Sequence, residues 1–494
     1  MEYIIPAWHG QLTDWSYNIP QIEIYDGINR MRVLQDSGRE VELVLTDYQP
    51  QMTTKLNKAA IYPDKIFSVY DKLQGIQGGY NQILSFRDFN WPDDVIFDFS
   101  PFRVLVISEN RLFAKVNFDT QGKILSVEYF DNQGQKTKNL IIDSRGFISS
   151  AQMGDKTVYY DEEGHWRFIH DVQSDHVVIN PQFNEFGRLE YSHIIDLIQE
   201  AFANEFLCHV QSSDNLIVTI ENRSTISYEK YSKYHPIYSL SHWHKYDKVL
   251  DQIHSGQLIV PSKHMADTVE GKVDKDMPIT IVPSLPVQVR LGHSQRIKRQ
   301  IIAVFAEKME YEDLKKIVEV IYQRLIKDPE GEGVHFLTYT TGQDALVTRV
   351  IAELKEKYKG KFLTEEESKL QGENDIEEEE LPVLYIKQDR LTSTASLLEI
   401  FDKIRILINW GKSDDFVQTT AISNGIPQLQ NFVSATLINH QNGEICKNAE
   451  EIAKGLAKYL DNMNNWNQAL VYDVRLLNKY SEDNLVKIWD KVLE

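Results

Sequence analysis

The stretch DFVQTTAISNGIPQ, Asp415–Gln428, closes on Ala421-x3-Gly425-x-Pro427-Gln428. That ending is one way to hold a nucleotide diphosphate-sugar for transfer. In the working version two glutamates complete the grip, one facing the sugar and one accepting from the ribose hydroxyls. Counting back from Ala421, their places fall on Lys412 and Thr420. Each charge-assisted hydrogen bond of this kind supplies about 1.5–3 kcal/mol. Losing both removes a factor on the order of a hundred or more in donor recognition.

Transfer also needs cations on the leaving diphosphate, where charge develops. In the transferases that this half of the chain resembles, an Arg and a Lys about five residues apart follow the first strand of the same domain. Here that strand exits as VFAEKMEYEDL, Val304–Leu314, and the matching positions are Phe305 and Glu310. An acidic side chain there repels phosphate, although Lys308 compensates if the register slips. The expected donor pocket is therefore degenerate, framed by Phe305, Glu310, Lys412, Thr420, Asn424 and Gly425. No residue is assigned as catalytic, and neither a cofactor nor a metal is expected. The histidines His235, His242, His244 and His254 lack helical i,i+4 spacing or a carboxylate cluster, so loop histidines are the preferred reading over a metal site. Asp93 and Asp94 read as turn caps before a strand rather than as paired catalytic carboxylates. GxGxxG, GxxxxGK[ST] and GxSxG do not occur.

These positions need elements to carry them. From Ile301 onward the chain alternates strands (IIAVFA, VHFLTY, VLYIKQ, RILINW and ATLINH) with helices, among them Tyr311–Ile326 and Gly342–Tyr358. Such a doubly wound sheet binds ligands beyond the carboxyl ends of its strands. The first hundred residues alternate in the same way: strand Tyr3–Trp8, helix Tyr25–Gly38, and strands Val41–Tyr48 and Asp94–Phe102. The alternation resumes with helix His193–Ala203, strands Asn215–Asn222 and Gln257–Ser262, and helix Asp247–His254. Between these halves, NFDTQG, YFDNQG, IIDSRG and YYDEEG place glycines at 122, 134, 146 and 164. Each Asp-x-x-Gly suits a turn in which Asp bonds the backbone and Gly takes positive φ. The expectation is an antiparallel meander whose Tyr129, Tyr160 and Trp166 either pair across strands or contact a glycan or extended polypeptide.

The fold class expected is thus α/β and GT-B-like: two Rossmann-like doubly wound domains with an antiparallel β-meander inserted in the first. The first domain covers 1–102 plus 190–290, the meander 103–189 and the second domain 295–470. Residues 471–494 form a C-terminal helical segment packing back towards the first domain. Ile279–Gln300 reads as a linker, with a basic cluster better explained by solvation than by phosphate.

Composition narrows the function. The chain has 494 residues and a net charge of −20. That charge disfavours nucleic acid and anionic membrane surfaces. Part of it lies in Thr364–Glu380, with nine acidic residues and one Lys, which reads as a solvated loop rather than an acidic docking site. Two distant cysteines, Cys208 and Cys446, suggest a reducing compartment. No apolar run approaches ~20 residues and the N-terminus carries no signal peptide, so a cytoplasmic protein without membrane insertion is expected.

Several segments together resemble one family: IPAWHG with Trp15, YDGINRMRVLQDSGREVELVLTDYQPQ, IFSVYDKLQGIQ and FNWPDDVIFDFSPFRVLV. They are similar to the first accessory secretory protein of the accessory Sec system, which exports serine-rich-repeat adhesins. The chain departs from that family's usual pattern at Tyr25-Asp26-Gly27 and Asn29-Arg30. The resemblance implies a GT-B-like fold with a β insertion and a degenerate active site. It also implies a cytoplasmic complex with the second and third accessory secretory proteins, serving the accessory SecA motor and the adhesin, and membrane-associated only through that machinery. The competing readings are an active transferase using Lys308, Lys412 and Asn424 with His242 or His244, and a glycan-binding module centred on the meander.

Overall fold

The computed structural model describes residues 1–8, 26–58, 60–79, 81–119, 121–183, 185–241, 244–283, 289–364, 381–391, 394–479 and 481–494. Trp15, Tyr25, His242 and residues 365–380 of the acidic stretch lie outside them. The chain resolves into two compact units. The first holds Leu34–Ile259 with Glu2–Ile5 and Gly271–Pro278; the second holds Ile279–Glu494 with Val260–Glu270 and the segment up to Val33 that precedes Leu34.

The chain begins with β1 (Glu2–Ile5). Then come helix α1 (Asp26–Asp36), β2 (Val41–Leu45), α2 (Met52–Lys58), β3 (Lys65–Ser68) and α3 (Val69–Leu73). Helix α1 has its apolar residues at the anticipated spacing, and Ile28, Met31, Val33 and Leu34 are all buried. In the first unit, strand β2 pairs in parallel with β1 on one side and β3 on the other, which is the register a helical crossover produces.

Asp94–Phe102, expected as a strand of that parallel sheet, behaves differently. Its strand β4 (Ile96–Ser100) lies at the edge of an antiparallel sheet, with Ile96 and Phe99 exposed. The reason is the link: only Pro101 and Phe102 separate it from β5 (Arg103–Ser108), and Ser100 pairs with Arg103. Two residues can join antiparallel neighbours but not parallel ones.

The meander continues through β6 (Arg111–Phe118), β7 (Ile124–Phe130), β8 (Lys136–Ile142), β9 (Ile148–Met153), β10 (Lys156–Tyr160), β11 (Trp166–Asp171), β12 (Val177–Ile179) and β13 (Glu190–Tyr191). Among the described residues it forms one ten-stranded sheet in strict sequence order. The four Asp-x-x-Gly repeats are its turns. Asp131 Oδ1 accepts from the backbone amides of Gln133 (2.8 Å) and Gln135 (2.9 Å), and Asp119 and Asp161 repeat the pattern. The register shifts just before each aspartate, at Asn117/Phe118, Tyr129/Phe130, Ile141/Ile142 and Tyr159/Tyr160. Each repeat is therefore a bulged hairpin, which adds twist to a long sheet.

Gly146 does more than turn. Its φ is 97°, and a Cβ there would lie 2.0 Å from the carbonyl oxygen of Gln82. Beside it Arg145 bridges Asp71 (2.7 and 3.0 Å) and Asp143 (2.8 Å), tying the meander to α3. Tyr48 adds hydrogen bonds to Ser149 (2.8 Å) and Ser150 (3.0 Å).

The first unit then returns to its parallel sheet with α4 (Ile194–Glu205), β14 (Asn215–Thr219), β15 (Ile237–Ser239) and β16 (Gln257–Val260). The order is β16-β15-β14-β1-β2-β3. The helix expected over Asp247–His254 is reduced to one 3-10 turn, Leu250–Gln252. Asn222 explains this: its side chain accepts from the Lys248 amide (3.0 Å) and donates to Asp247 (2.9 Å). Such local bonds compete with a helical turn.

The second unit holds α5 (Lys263–Val269), β17 (Ile279–Ile281), β18 (Gln300–Phe305), α6 (Tyr311–Leu325), β19 (Glu332–Thr338), α7 (Thr341–Lys357), β20 (Leu363–Thr364), β21 (Val383–Arg390) and α8 (Thr394–Phe401). It continues with β22 (Ile404–Asn409), α9 (Asp415–Asn424), β23 (Gln428–Gln430), β24 (Gly443–Ile445), α10 (Ala449–Leu460), α11 (Met463–Leu477) and α12 (Glu482–Leu493). Its sheet runs β20-β21-β19-β18-β22-β23-β24, with parallel pairing throughout. The order reverses direction between β18 and β22, which makes their carboxyl ends the place to look for a ligand. Helix α6 buries Leu314, Ile317, Val318 and Ile321 in the core beneath.

Ala435–His440, expected as a strand, is a loop; the sheet is completed instead by β23 and β24. Asn442 holds this loop, accepting from the Ile438 amide (2.8 Å) and donating to the Thr436 carbonyl (2.8 Å). Backbone groups a strand would pair are consumed by one side chain.

Candidate functional site

At the carboxyl end of β18 the chain closes over itself. Phe305 is fully buried, with its ring 5.2 Å from that of Tyr339 in an edge-on arrangement. The Tyr339 hydroxyl reaches Asp414 Oδ1 at 3.4 Å, and the same oxygen caps α9 by accepting from the Val417 amide at 3.0 Å. Burial raises the pKa of Tyr339 well above the ordinary phenol range, so it stays neutral.

Glu307, two residues past β18, accepts from the backbone amides of Tyr339 (2.7 Å) and Thr340 (3.1 Å). Thr340 is the N-cap of α7, accepting from the Gln343 amide, and the Gln343 side chain donates to the carbonyls of Ala306 (2.6 Å) and Met309 (2.8 Å). A helix N-terminus with free amides attracts a phosphate. Here the chain supplies its own carboxylate to the two amides that lead into that terminus. Glu310, singled out from the sequence, is exposed at the N-cap of α6 and makes no capping bond. The residue that meets the anion-attracting amides is Glu307, three positions earlier.

The Ala421-x3-Gly425-x-Pro427 signature has a backbone role. Gly425 sits at φ 68° past the end of α9. Its amide donates to the Ile422 carbonyl (3.1 Å), and the Ile426 amide donates to that of Ala421 (3.0 Å). This pair of bonds is the Schellman way of ending a helix. A Cβ at Gly425 would meet Leu470 at 2.8 Å and Leu291 at 3.0 Å, so the position is tight as well as left-handed. Thr420 is buried, and its hydroxyl donates to the Phe416 carbonyl one turn back (2.8 Å). Asn424, also buried, donates to the Thr420 carbonyl (2.8 Å). Both side chains donate within their own helix.

Lys412 is exposed in the bend after β22. Its neighbour Gly411 has φ 96°, and a Cβ there would lie 2.2 Å from the carbonyl oxygen of Lys308. The structure thus brings the loops of Lys308 and Lys412 together, while Phe305, Thr420 and Asn424 lie in the interior. Around them is a network of amides and hydroxyls: Gln418 contacts Ser413 (2.7 Å) and Gln430 (2.6 Å), and Gln430 donates to Ser434 (2.8 Å). Sequence reasoning missed Glu307 and this network. The only signal was a glutamate directly after a buried strand, and glutamines spaced for helix and strand rather than for any motif.

In the meander Tyr129 is half-buried, its ring 5.9 Å from those of both Trp91 and Phe113, with the Lys138 amine 5.3 Å above it. Tyr160 packs against the same apolar cluster. Trp166 is half-buried opposite Tyr160. His244 is held by Glu221 at 3.0 Å, and both side chains are largely buried. Among the described residues no group of three His, Cys, Asp or Glu side chains is arranged to hold a metal. No described helix is long and apolar enough to cross a membrane.

Two doubly wound parallel sheets accompanied by a long antiparallel meander make this a protein of the GT-B glycosyltransferase-like class. The pneumococcal O-GlcNAc transferase GtfA, solved with UDP and GlcNAc, has the same fold at 12% identity, with a TM-score of 0.71 over 100% of this chain and 98% of that one. Over residues 2–494 the sequence matches the family of the first accessory Sec system protein, and the chain belongs to that family. A relative of the same description from Streptococcus gordonii is 25% identical over 534 residues, covering 100% of this chain and 99% of its own. The structure of accessory secretory proteins 1, 2 and 3 from Streptococcus pneumoniae contains a similar chain. It is 22% identical with a TM-score of 0.76, covering 100% of this chain and 99% of that one. The resemblance read from the N-terminal segments and the family match agree.

Proposed function

We propose that the protein is a non-catalytic, glycosyltransferase-like component of the accessory Sec system. It holds partner proteins and the serine-rich-repeat adhesin during the adhesin's modification and export. The observation that supports this reading is that side chains at the proposed donor pocket are engaged within the chain: Thr420 and Asn424 bond their own helix, Phe305 is core, and Glu307 accepts from the Tyr339 and Thr340 amides just before α7. A nucleotide diphosphate would have to displace a carboxylate and compete with its charge. The proposed partners are the second and third accessory secretory proteins, by analogy with the pneumococcal assembly of that composition, and then the accessory SecA motor. The work is cytoplasmic, and any membrane association runs through that machinery.

Co-expression with the second and third accessory proteins tests this reading. A complex stable to gel filtration, with no sugar transferred to a serine-rich acceptor by this chain alone, is the expected result. Turnover of a UDP-sugar by the isolated chain overturns it. A second reading, a transferase with altered donor contacts, draws on the approach of the Lys308 and Lys412 loops. It requires that Lys308→Ala and Lys412→Ala each weaken donor binding, and that Thr420→Glu strengthen it.

A further inference from the structure

Many cations on this acidic chain have found an acid. Lys65 pairs with Glu40 (3.1 Å), Lys136 with Glu128 (3.3 Å) and Lys315 with Glu353 (2.9 Å), and Lys357 and Lys458 are likewise paired. Four that share one place have not. Lys263 on α5, Lys479 just past α11, and Lys487 and Lys491 on α12 are exposed, and none forms an ion pair among the described residues. All four line a single groove of about 780 Å³ within the second unit.

The floor of that groove is apolar. Ile281, Val433 and Ile438 contribute side chains that are 40%, 57% and 44% exposed, and Ile488 lies between the two lysines of α12. The other face of α12 is spent on the interior, with Leu485, Trp489 and Val492 nearly fully buried. The helix therefore has a core stripe and, separately, a face of Asn484, Lys487, Ile488 and Lys491 turned to the groove. Among the described residues that line the groove, Asp267 is the one carboxylate.

A chain carrying −20 overall that, among the described residues, keeps four amines unpaired around exposed isoleucine and valine has a surface complementary to an acidic, apolar ligand. Exposed apolar patches with a polar rim mark interaction sites, and charge complementarity selects the partner. The concave shape suits inserted side chains rather than the flat face of a bilayer. We infer that this groove docks an amphipathic, acidic segment of a partner polypeptide, with two or three apolar side chains on the floor and carboxylates reaching Lys263, Lys479, Lys487 and Lys491. The inference rests on the scaffold reading only for the existence of a polypeptide partner; it uses a surface built from other residues than the donor position.

The test uses the full chain and a fluorescein-labelled amphipathic peptide with leucines at i, i+3, i+4 and i+7 and glutamates on the flanks. Fluorescence anisotropy should show saturable binding that weakens as salt rises from about 0.05 M to about 0.5 M. Lys487→Glu with Lys491→Glu should raise Kd about tenfold or more, because like charges then face each other. Val433→Asp, at an exposed apolar position, should weaken binding without using the lysines. Both variants should melt as the wild type does. Unchanged affinity in the charge-reversed protein, no saturable binding to wild type, or binding of phosphatidylglycerol vesicles through the same lysines in place of the peptide each overturns the inference. Donor-sugar calorimetry is unaffected by any of these outcomes, so failure of the groove and failure of the scaffold reading are separable.

Discussion

The turns of the meander and the turn after α9 both end on a glycine at positive φ, and they carry different amounts of information. In the meander, Asp-x-x-Gly is local and repeated. Aspartate bonds the amides two and four residues on, glycine supplies the left-handed residue, and the strand bulges. Nothing outside five residues is needed, so the sequence predicts the hairpins directly. After α9, Ala421-x3-Gly425-x-Pro427 also performs a local backbone task, the Schellman ending. The same letters, in an enzyme, would accompany two glutamates and a bound nucleotide. On the non-catalytic reading proposed above, the motif persists for helix termination without the chemistry beside it. What reports on chemistry is the side chains at 412 and 420, not the glycine.

Substitutions put this contrast to the test. The largest effect is expected at Gly146, where left-handed backbone and the Gln82 carbonyl coincide: Gly146→Val should cost roughly 3 kcal/mol or more in urea denaturation. Gly134→Ala, with φ 76° but open space around it, should cost only about 1–2 kcal/mol. Equal losses would mean that the turn alone, not the close approach, sets the cost.

Thr420→Glu comes next. It places a carboxylate where a buried hydroxyl bonds its own helix, so a loss of about 2–4 kcal/mol without gain of donor binding is expected from thermal melts and titration. A gain in binding would favour the transferase reading.

Asp473 offers a pH test close by. It is buried on α11 with the Asn442 side-chain amide 2.7 Å away, and burial raises its pKa well above the carboxylate range. The folded state therefore keeps a proton that the unfolded state releases above about pH 4, and stability falls as pH rises from there towards the folded value. Asp473→Asn keeps the acceptor and removes the titration. It should be more stable than the wild type at alkaline pH and should lose the decline that begins above about pH 4. An unchanged slope would show that other groups carry the pH dependence.

The smallest effect is expected at Glu307→Gln, which keeps an acceptor for the two amides but removes its charge. A loss of about 0.5–1 kcal/mol in the same denaturation assay is the prediction.

Much of this was legible from patterns of fixed period. The strands IIAVFA, VHFLTY and RILINW and the faces of α1 and α6 follow from runs and spacings that only a buried strand or an amphipathic helix satisfies. The failures occurred where a single side chain intervened. Asn222 unwinds the helix pattern at Asp247, and Asn442 converts a strand-like apolar run into a loop. Asp94–Phe102 misled because its composition suits either sheet, and only the two-residue link to β5 decides between them. At the site, the loss of both acidic partners was readable by counting. The role of Glu307 was not: it engages Tyr339 and Thr340, 32 and 33 residues away in sequence, and only the fold makes them neighbours.

The most direct measurement is isothermal calorimetry of UDP-GlcNAc into the purified full-length chain, repeated with UDP. If the second unit's donor position is filled by its own side chains, no saturable heat appears at ligand concentrations up to about 1 mM, a level that would register binding of ordinary donor affinity. A saturable isotherm in the micromolar range, lost on Lys412→Ala, would show that a nucleotide-sugar is held there after all.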